Sequence, residues 1–138
     1  MPIYAAPVRD TLFILDEVLG YARHANLPGF ADASGDVLEA ILEEGAKLAE
    51  TVMLPTNRVG DLEGCSRGDD GSVTTPKGFK EAYDQYREGG WMGLAVPSEY
   101  GGQGLPYCLH SAIGEYLVSG NMALMMYPGL TQGAIAAI

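Results

Sequence analysis

The chain contains few basic residues. Its 138 residues include 8 lysines and arginines against 18 aspartates and glutamates, which gives a net charge of −10 at pH 7. Nucleic-acid binding relies on lysine and arginine to displace the counterions of phosphates, and docking on an anionic membrane surface relies on the same residues. The composition therefore argues against both kinds of partner.

Cysteines and long apolar runs are also scarce. Cys65 and Cys108 are expected to be free thiols, and no cluster of cysteines and histidines has the spacing of a zinc site. No stretch of about 18 apolar residues is present, so no membrane span is predicted. Charges at Arg9 and Asp10 interrupt the N-terminal region before a signal-peptide core could form. Together these features predict a cytoplasmic protein.

Charge is almost absent from the last part of the chain. Residues 101–138 carry a single charge, Glu115, whereas residues 1–100 carry the other 25. A large exposed apolar patch favours association with another surface. We therefore expect this stretch to be covered by other parts of a longer protein, of which the chain would be a fragment.

The hydrophobic periodicity predicts an all-α fold, an orthogonal bundle of about six helices with almost no sheet. The chain end is expected to cut the sixth helix, which would start at Leu130 or Thr131. The other five predicted helices span residues 8–23, 36–53, 76–89, 107–119 and 122–127.

Local signals predict where these helices begin and end. Ser34 is expected to cap the second helix, and Asn121 the fifth, because short polar side chains satisfy the free N–H groups of a first turn. Leu54-Pro55 and Pro128-Gly129 are expected to end helices, since proline lacks the N–H that an interior position needs. Residues 56–74 would then form a long acidic loop, with a brief extended segment at 73–74.

Two motifs resemble catalytic or nucleotide-binding patterns but lack the context that these need. Residues 64–68 match the G-x-S-x-G nucleophile elbow, yet no apolar strand precedes them and no helix follows directly. Gly102-Gln103-Gly104 could begin a dinucleotide fingerprint, but position 107 is a tyrosine and residues 120–130 contain no acid. His24 and His110 have no carboxylate one helical turn away, which favours structural roles for both.

One segment carries a more specific sequence signal than the rest of the chain. Residues 90–106, Gly-Trp-Met-Gly-Leu-Ala-Val-Pro-Ser-Glu-Tyr-Gly-Gly-Gln-Gly-Leu-Pro, resemble a hallmark stretch in the N-terminal helical domain of acyl-CoA dehydrogenases. Residues 1–10 resemble an additional N-terminal helix found in the subgroup that includes the 3-methylmercaptopropionyl-CoA dehydrogenases. Shorter similar stretches extend the resemblance over essentially the whole chain; they are 27–30, 41–47, 57–61, 75–80 and 127–134.

The resemblance implies one part of a larger oxidoreductase. Members of the family combine this helical domain with a β-barrel domain that holds most of the FAD and a helical C-terminal domain that supplies the catalytic glutamate. The implied reaction is the α,β-dehydrogenation of an acyl-CoA thioester, with electron-transfer flavoprotein or a similar protein as electron acceptor. By this resemblance residues 1–33 form an N-terminal extension and residues 34–138 an incomplete N-terminal domain. The full-length protein would be a homo-oligomer, and this chain would be inactive alone.

Carried over by position, the resemblance places three residues of this chain on the acyl pocket: Tyr127, Leu130 and Thr131. It assigns no catalytic residue, metal ligand or FAD contact within the chain. The alternative is that Tyr127 and Leu130 are ordinary core residues, since apolar residues at helical spacing usually are.

Two other functions are compatible with the sequence. A stand-alone acidic helical interaction module would use its uncharged last third as a docking face. An acyl-CoA oxidase or a flavin monooxygenase of the same superfamily would share this domain, because oxygen reactivity is set around the flavin. A reading frame that continues into a β-rich domain would favour the flavoenzymes over the module.

Overall fold

A computed structural model describes residues 3–138 and confirms the all-α prediction. Turns and loops connect the helical elements, and one small hairpin interrupts them. The five α-helices are α1 (Val8–Phe13), α2 (Asp36–Leu48), α3 (Leu54–Glu63), α4 (Phe79–Glu88) and α5 (Tyr107–Ala137). Short π-helical turns span Ile14–Val18 and Ala49–Met53, and 3₁₀ turns span Tyr21–His24, Trp91–Gly93 and Ser98–Tyr100.

The first predicted helix, 8–23, is shorter than expected. After α1 the backbone widens into the π-helical turn, and Gly20 then adopts a φ of +62°, which ends the helical run. A π-helical turn adds a residue and rotates the side chains that follow, so the apolar stripe does not continue in phase. Leu15 is buried, whereas Leu19, one helical turn later, is exposed.

The prediction that Leu54-Pro55 ends the second helix is wrong. The π-helical turn after α2 leads directly into α3, and Pro55 lies in the first turn of α3, where a missing N–H leaves no interior hydrogen bond broken. Residues 56–63, expected to be loop, are therefore helical.

The rest of the predicted acidic loop forms a hairpin. Strands β1 (Ser66–Arg67) and β2 (Val73–Thr74) pair antiparallel, which confirms the extended segment at 73–74. The connecting turn is closed by the Ser72 N–H, which donates to Asp70 Oδ1 at 2.9 Å. Such a bond from an aspartate side chain to a nearby backbone N–H is a common way to stabilise a turn.

Glycine directly precedes both α2, which begins at residue 36 as predicted, and α4, which begins at Phe79 rather than at residue 76. Ser34 does not cap α2; its hydroxyl donates instead to the Ala31 carbonyl at 3.2 Å. The residue before α2 is Gly35, with a φ of +56°, and the residue before α4 is Gly78, with a φ of +85°. Glycine reaches this left-handed region without a steric penalty, so both helices can begin with a sharp change of chain direction.

Helix α5 contains one sharp bend, at Asn121. Its φ of −156° and ψ of 94° are not helical, and they divide α5 into residues 107–120 and 122–137. Asn121 caps the second half as predicted, because its Oδ1 accepts a hydrogen bond from the Leu124 N–H at 3.0 Å. Tyr107 and Ile135 line the same cavity, so the two halves fold back towards each other.

The predicted break at Pro128-Gly129 does not occur, and no separate helix starts at Leu130 or Thr131. Residues 122–137 form one continuous helical half that runs through Pro128. The Pro128 ring is fully buried in the core, and this burial offsets the hydrogen bond that proline removes from a helix interior.

Close backbone approach fixes α5 against α2 and the π-helical turn that follows it. A Cβ on Gly120 would lie 2.8 Å from the Ala49 carbonyl oxygen and 3.1 Å from Met53 Cβ. A Cβ on Gly45 would similarly meet Ile113 at 3.0 Å. The buried core lies mainly along this contact; its larger members include Leu38, Leu42, Met53, Leu109, Tyr116, Leu117 and Leu124.

We expect Gly120→Ala to destabilise the protein, by about 1–3 kcal/mol, because the added methyl group overpacks the contact with Ala49. Gly114→Ala in the same helix is the matched control, since no atom lies within 4 Å of its new methyl group. The control should be neutral or stabilising by up to about 1 kcal/mol, as alanine is the better helix former. Urea unfolding measures both, and equal effects would contradict the packing described.

Candidate functional site

The three residues that the sequence assigned to a pocket lie together on one side of α5. Tyr127, Leu130 and Thr131 are spaced three and four positions apart, which places them on adjacent parts of one helix face. Leu130 is 80% exposed and Tyr127 44% exposed. Neither residue is therefore part of the buried core of residues 3–138.

Tyr127 is held by two contacts from distant parts of the chain. Its ring meets the buried Phe79 ring edge-on, with centroids 6.2 Å apart. Its hydroxyl lies 3.8 Å from Cys65 Sγ, at the end of the hairpin. Partial burial raises the pKa of the Tyr127 hydroxyl, and the neighbouring Cys65 thiol acts in the same direction. Tyr127 therefore presents a neutral, fixed ring at physiological pH.

Two methionines that the sequence reasoning did not single out extend this face. Met122 and Met126 are exposed and precede Leu130 at intervals of four residues, so the three form one apolar stripe. Methionine is flexible and adapts to irregular apolar partners. The i, i+4, i+8 spacing of Met122, Met126 and Leu130 is the sequence signal that could have identified the two methionines. We name Met122, Met126, Tyr127, Leu130 and Thr131 the α5 outer face.

Two close backbone contacts involve Gly102 and Gly104 of the motif segment. A Cβ on Gly102 would collide with the Val96 carbonyl, and a Cβ on Gly29 would collide with the Gly104 carbonyl. These glycines therefore let backbone segments approach each other, in contrast to a nucleotide-binding loop, whose glycines make room for the ligand. The partial Gly102-Gln103-Gly104 fingerprint is structural.

The other chemistry-bearing residues occupy structural positions. Ser66 lies in exposed strand β1 of the hairpin rather than at a strand-to-helix elbow. Cys65 and Cys108 are free thiols, as predicted. Within residues 3–138 no three histidine, cysteine or acidic side chains come together as a metal site.

His110 lies between two small cavities where the halves of α5 fold back. One cavity, of about 140 Å³, is lined by Val96, Tyr107 and Ile135, and the other, of about 150 Å³, by Trp91 and Met125. His110 and Gln132 line both. Burial lowers the pKa of the His110 imidazole, which keeps the ring neutral.

Gln132 also ties the second half of α5 to α4, because its Nε2 donates to the Tyr86 hydroxyl at 2.8 Å. Tyr86 is 1% exposed, and its burial raises the pKa of the hydroxyl to about 12. Tyr86 therefore ionises in the folded state only at a higher pH than a solvent-exposed tyrosine does.

The free energy of unfolding is expected to decline as the pH rises from 10 to about 12. The reason is that Tyr86 ionises at a lower pH in the unfolded chain than in the folded protein. The folded state then binds more protons than the unfolded state, so the slope is negative. Tyr86→Phe removes this titration and should make the decline shallower, while Tyr100→Phe, at an exposed position, should not. Chemical unfolding at several pH values provides the measurement, and parallel profiles for all three proteins would contradict the assignment.

Comparison with known proteins identifies the family. The family model described as "Acyl-CoA dehydrogenase, N-terminal domain" matches residues 38–138. The chain belongs to the acyl-CoA dehydrogenase family. The match begins close to the start of α2 and includes the whole α5 outer face.

Individual members of the acyl-CoA dehydrogenase family match nearly the whole chain. The 3-methylmercaptopropionyl-CoA dehydrogenase of Ruegeria pomeroyi is 36% identical over 98% of this chain, which corresponds to 23% of that protein. The broad-specificity linear acyl-CoA dehydrogenase FadE5 of Mycobacterium tuberculosis is 30% identical over 94% of this chain and 21% of its own length. The butyryl-CoA dehydrogenase of Syntrophomonas wolfei is 28% identical over 98% of this chain and 22% of its own.

The chain thus spans between a fifth and a quarter of the length of these acyl-CoA dehydrogenases. The match supports the predicted resemblance to their N-terminal helical domain. Within residues 3–138, no helix is both long and apolar enough to cross a bilayer.

Proposed function

We propose that this chain acts as the N-terminal helical domain of an FAD-dependent acyl-CoA dehydrogenase, in which it forms one wall of the acyl pocket. The observation that carries the proposal is the α5 outer face, an exposed apolar surface within the family match. Its residues belong to the nearly uncharged segment 101–138, which suits a surface that is covered in the complete enzyme.

The α5 outer face would exclude water from the acyl chain and orient it. Tyr127 and Leu130 would pack against its methylene groups, each buried methylene contributing about 0.8 kcal/mol to binding. Thr131 would add a hydroxyl at the edge of this apolar surface. FAD, when bound, supplies the hydride acceptor of the reaction. Alignment of the two reacting C–H bonds with base and acceptor then depends on the walls of the pocket.

The described residues fit a substrate wall better than an FAD-binding site. Gly102, in the glycine-rich segment 101–104, packs against the Val96 carbonyl rather than leaving room for a pyrophosphate. We therefore propose that FAD and the catalytic carboxylate belong mainly to other domains of the enzyme. Glu99 and Glu115 are not proposed as the base.

The identity of the acyl group is not proposed from the relatives, since their names specify 3-methylmercaptopropionyl, linear acyl and butyryl groups. An electron-transfer flavoprotein or a similar acceptor is the proposed redox partner, and the full-length enzyme is proposed to be a homo-oligomer. The free thiols of Cys65 and Cys108 are consistent with the cytoplasm as its proposed location.

The full-length protein tests this function directly. It should contain FAD, and anaerobic addition of an acyl-CoA from a panel of chain lengths should bleach the flavin. The 138-residue chain expressed alone should be colourless and inactive. A flavin that no acyl-CoA reduces would overturn the proposal, and rapid reoxidation by oxygen would favour the oxidase alternative.

Tyr127→Ala in the full-length enzyme is expected to change acyl-chain preference, because it opens the wall of the pocket. A change of about tenfold in the ratio of kcat/KM between two chain lengths is expected, the scale of one methylene group in an apolar pocket. Flavin content should not change. Tyr100→Ala, at an exposed tyrosine away from the α5 outer face, is the control. Loss of flavin with an unchanged preference profile would show that Tyr127 has a different role.

A further inference from the structure

An aromatic groove borders the α5 outer face and shares Tyr127 with it. The groove is open to solvent, has a volume of about 310 Å³ and is lined by Thr75, Phe79, Lys80, Tyr83 and Tyr127. Three of these five side chains are aromatic rings. One side of the Tyr127 ring belongs to the substrate wall proposed above, and the side towards α4 lines the groove.

The geometry of the groove is fixed by its surroundings. Phe79 is buried at its base, and Gly60 makes room for that ring, because a Cβ on Gly60 would lie 2.6 Å from Phe79 Cζ. Phe79 in turn meets Tyr127 edge-on, and Cys65 contacts the Tyr127 hydroxyl. The rings therefore form a preformed surface rather than a mobile one.

The charge at the edge of the groove is already paired. Lys80 Nζ donates to Asp84 Oδ2 at 3.0 Å, and Arg87 lies 3.4 Å from the other oxygen of the same carboxylate. This pairing directs the ammonium group towards Asp84, so Lys80 contributes mainly its methylene stem to the lining. The groove is thus lined mainly by uncharged aromatic side chains, with one ion-paired lysine among its lining residues.

We propose that this groove receives an aromatic ring at the far end of the acyl group, which makes aryl-terminated acyl-CoAs a preferred substrate class. The inference rests on the proposed function, since it requires an acyl chain to pass Tyr127. The volume is sufficient, because an apolar cavity of about 150 Å³ already holds benzene. Tyr83 and Tyr127 flank the space and can meet a ring in edge-to-face or offset geometry.

The aromatic character of the lining sets the expected effect. Ring pairs of this kind contribute about 0.5–1.5 kcal/mol beyond their buried area, which corresponds to a change of about 2- to 13-fold in binding. An aliphatic tail of similar length gains the buried area without this additional attraction. The difference between the two tails is therefore the measurable signature of the groove.

The test compares phenylhexanoyl-CoA with decanoyl-CoA as substrates of the full-length enzyme. Tyr83→Leu should lower the ratio of kcat/KM for the aryl substrate over the alkyl substrate about 2- to 13-fold. The change should appear in KM and leave kcat nearly constant, because the ring binds far from the reacting carbons. Tyr83→Phe, which keeps the ring, should retain the wild-type ratio.

Tyr107→Leu is the matched control, since Tyr107 is an exposed tyrosine that lines a different cavity. It should leave the ratio unchanged, and thermal unfolding of each variant checks that the fold is intact. If Tyr83→Leu does not alter the ratio while both substrates are oxidised, the groove proposal is wrong and the proposed function stands. If neither substrate nor any other acyl-CoA reduces the flavin, the proposed function itself fails.

Discussion

The buried side chain of Asn121 is the interaction on which the arrangement of this domain depends. It is fully inaccessible to solvent, and both ends of its amide are bonded. The Asn121 Oδ1 accepts a hydrogen bond from the Leu124 N–H, and its Nδ2 donates to Thr56 Oγ1 at 2.8 Å. The Thr56 hydroxyl in turn donates to the Met53 carbonyl at 2.7 Å. A buried amide without partners would cost about 1–3 kcal/mol, so this network strongly favours one position for the bend. The bend, the start of α3 and the second half of α5 are thereby fixed together.

This bend gives the second half of α5 two different apolar faces. The inner face, with Leu124, Met125 and Pro128, is buried in the core. The α5 outer face, with Met126 and Leu130, is exposed. The scarcity of charge in residues 101–138 therefore has two causes, since one face stabilises the fold and the other is proposed to contact substrate. An exposed helix face normally carries charged residues, and their absence from the α5 outer face suits its proposed role in the acyl pocket.

Local signals predicted the parts of the fold that depend on neighbouring residues. Asn121 was recognisable as a cap, and Val73-Thr74 as an extended segment, because both depend on nearby backbone groups. The stops predicted at Pro55 and Pro128 were wrong because a π-helical turn and burial in the core, respectively, accommodate proline there. The grouping of Tyr127, Leu130 and Thr131 came from the family resemblance, and their position on one continuous helix required the structure, because the sequence predicted a break at Pro128-Gly129. The contact of Tyr127 with Cys65, 62 positions away, has no local signal and required the tertiary structure.

The central claim is that the α5 outer face contacts the acyl chain of the substrate. A crystal structure of the full-length enzyme with a bound, non-reactive acyl-CoA analogue tests it most directly. We expect acyl carbons within about 4.5 Å of both Tyr127 and Leu130, the distance of apolar contact. An acyl chain that lies elsewhere, with the α5 outer face covered by another domain or exposed to solvent, would contradict it.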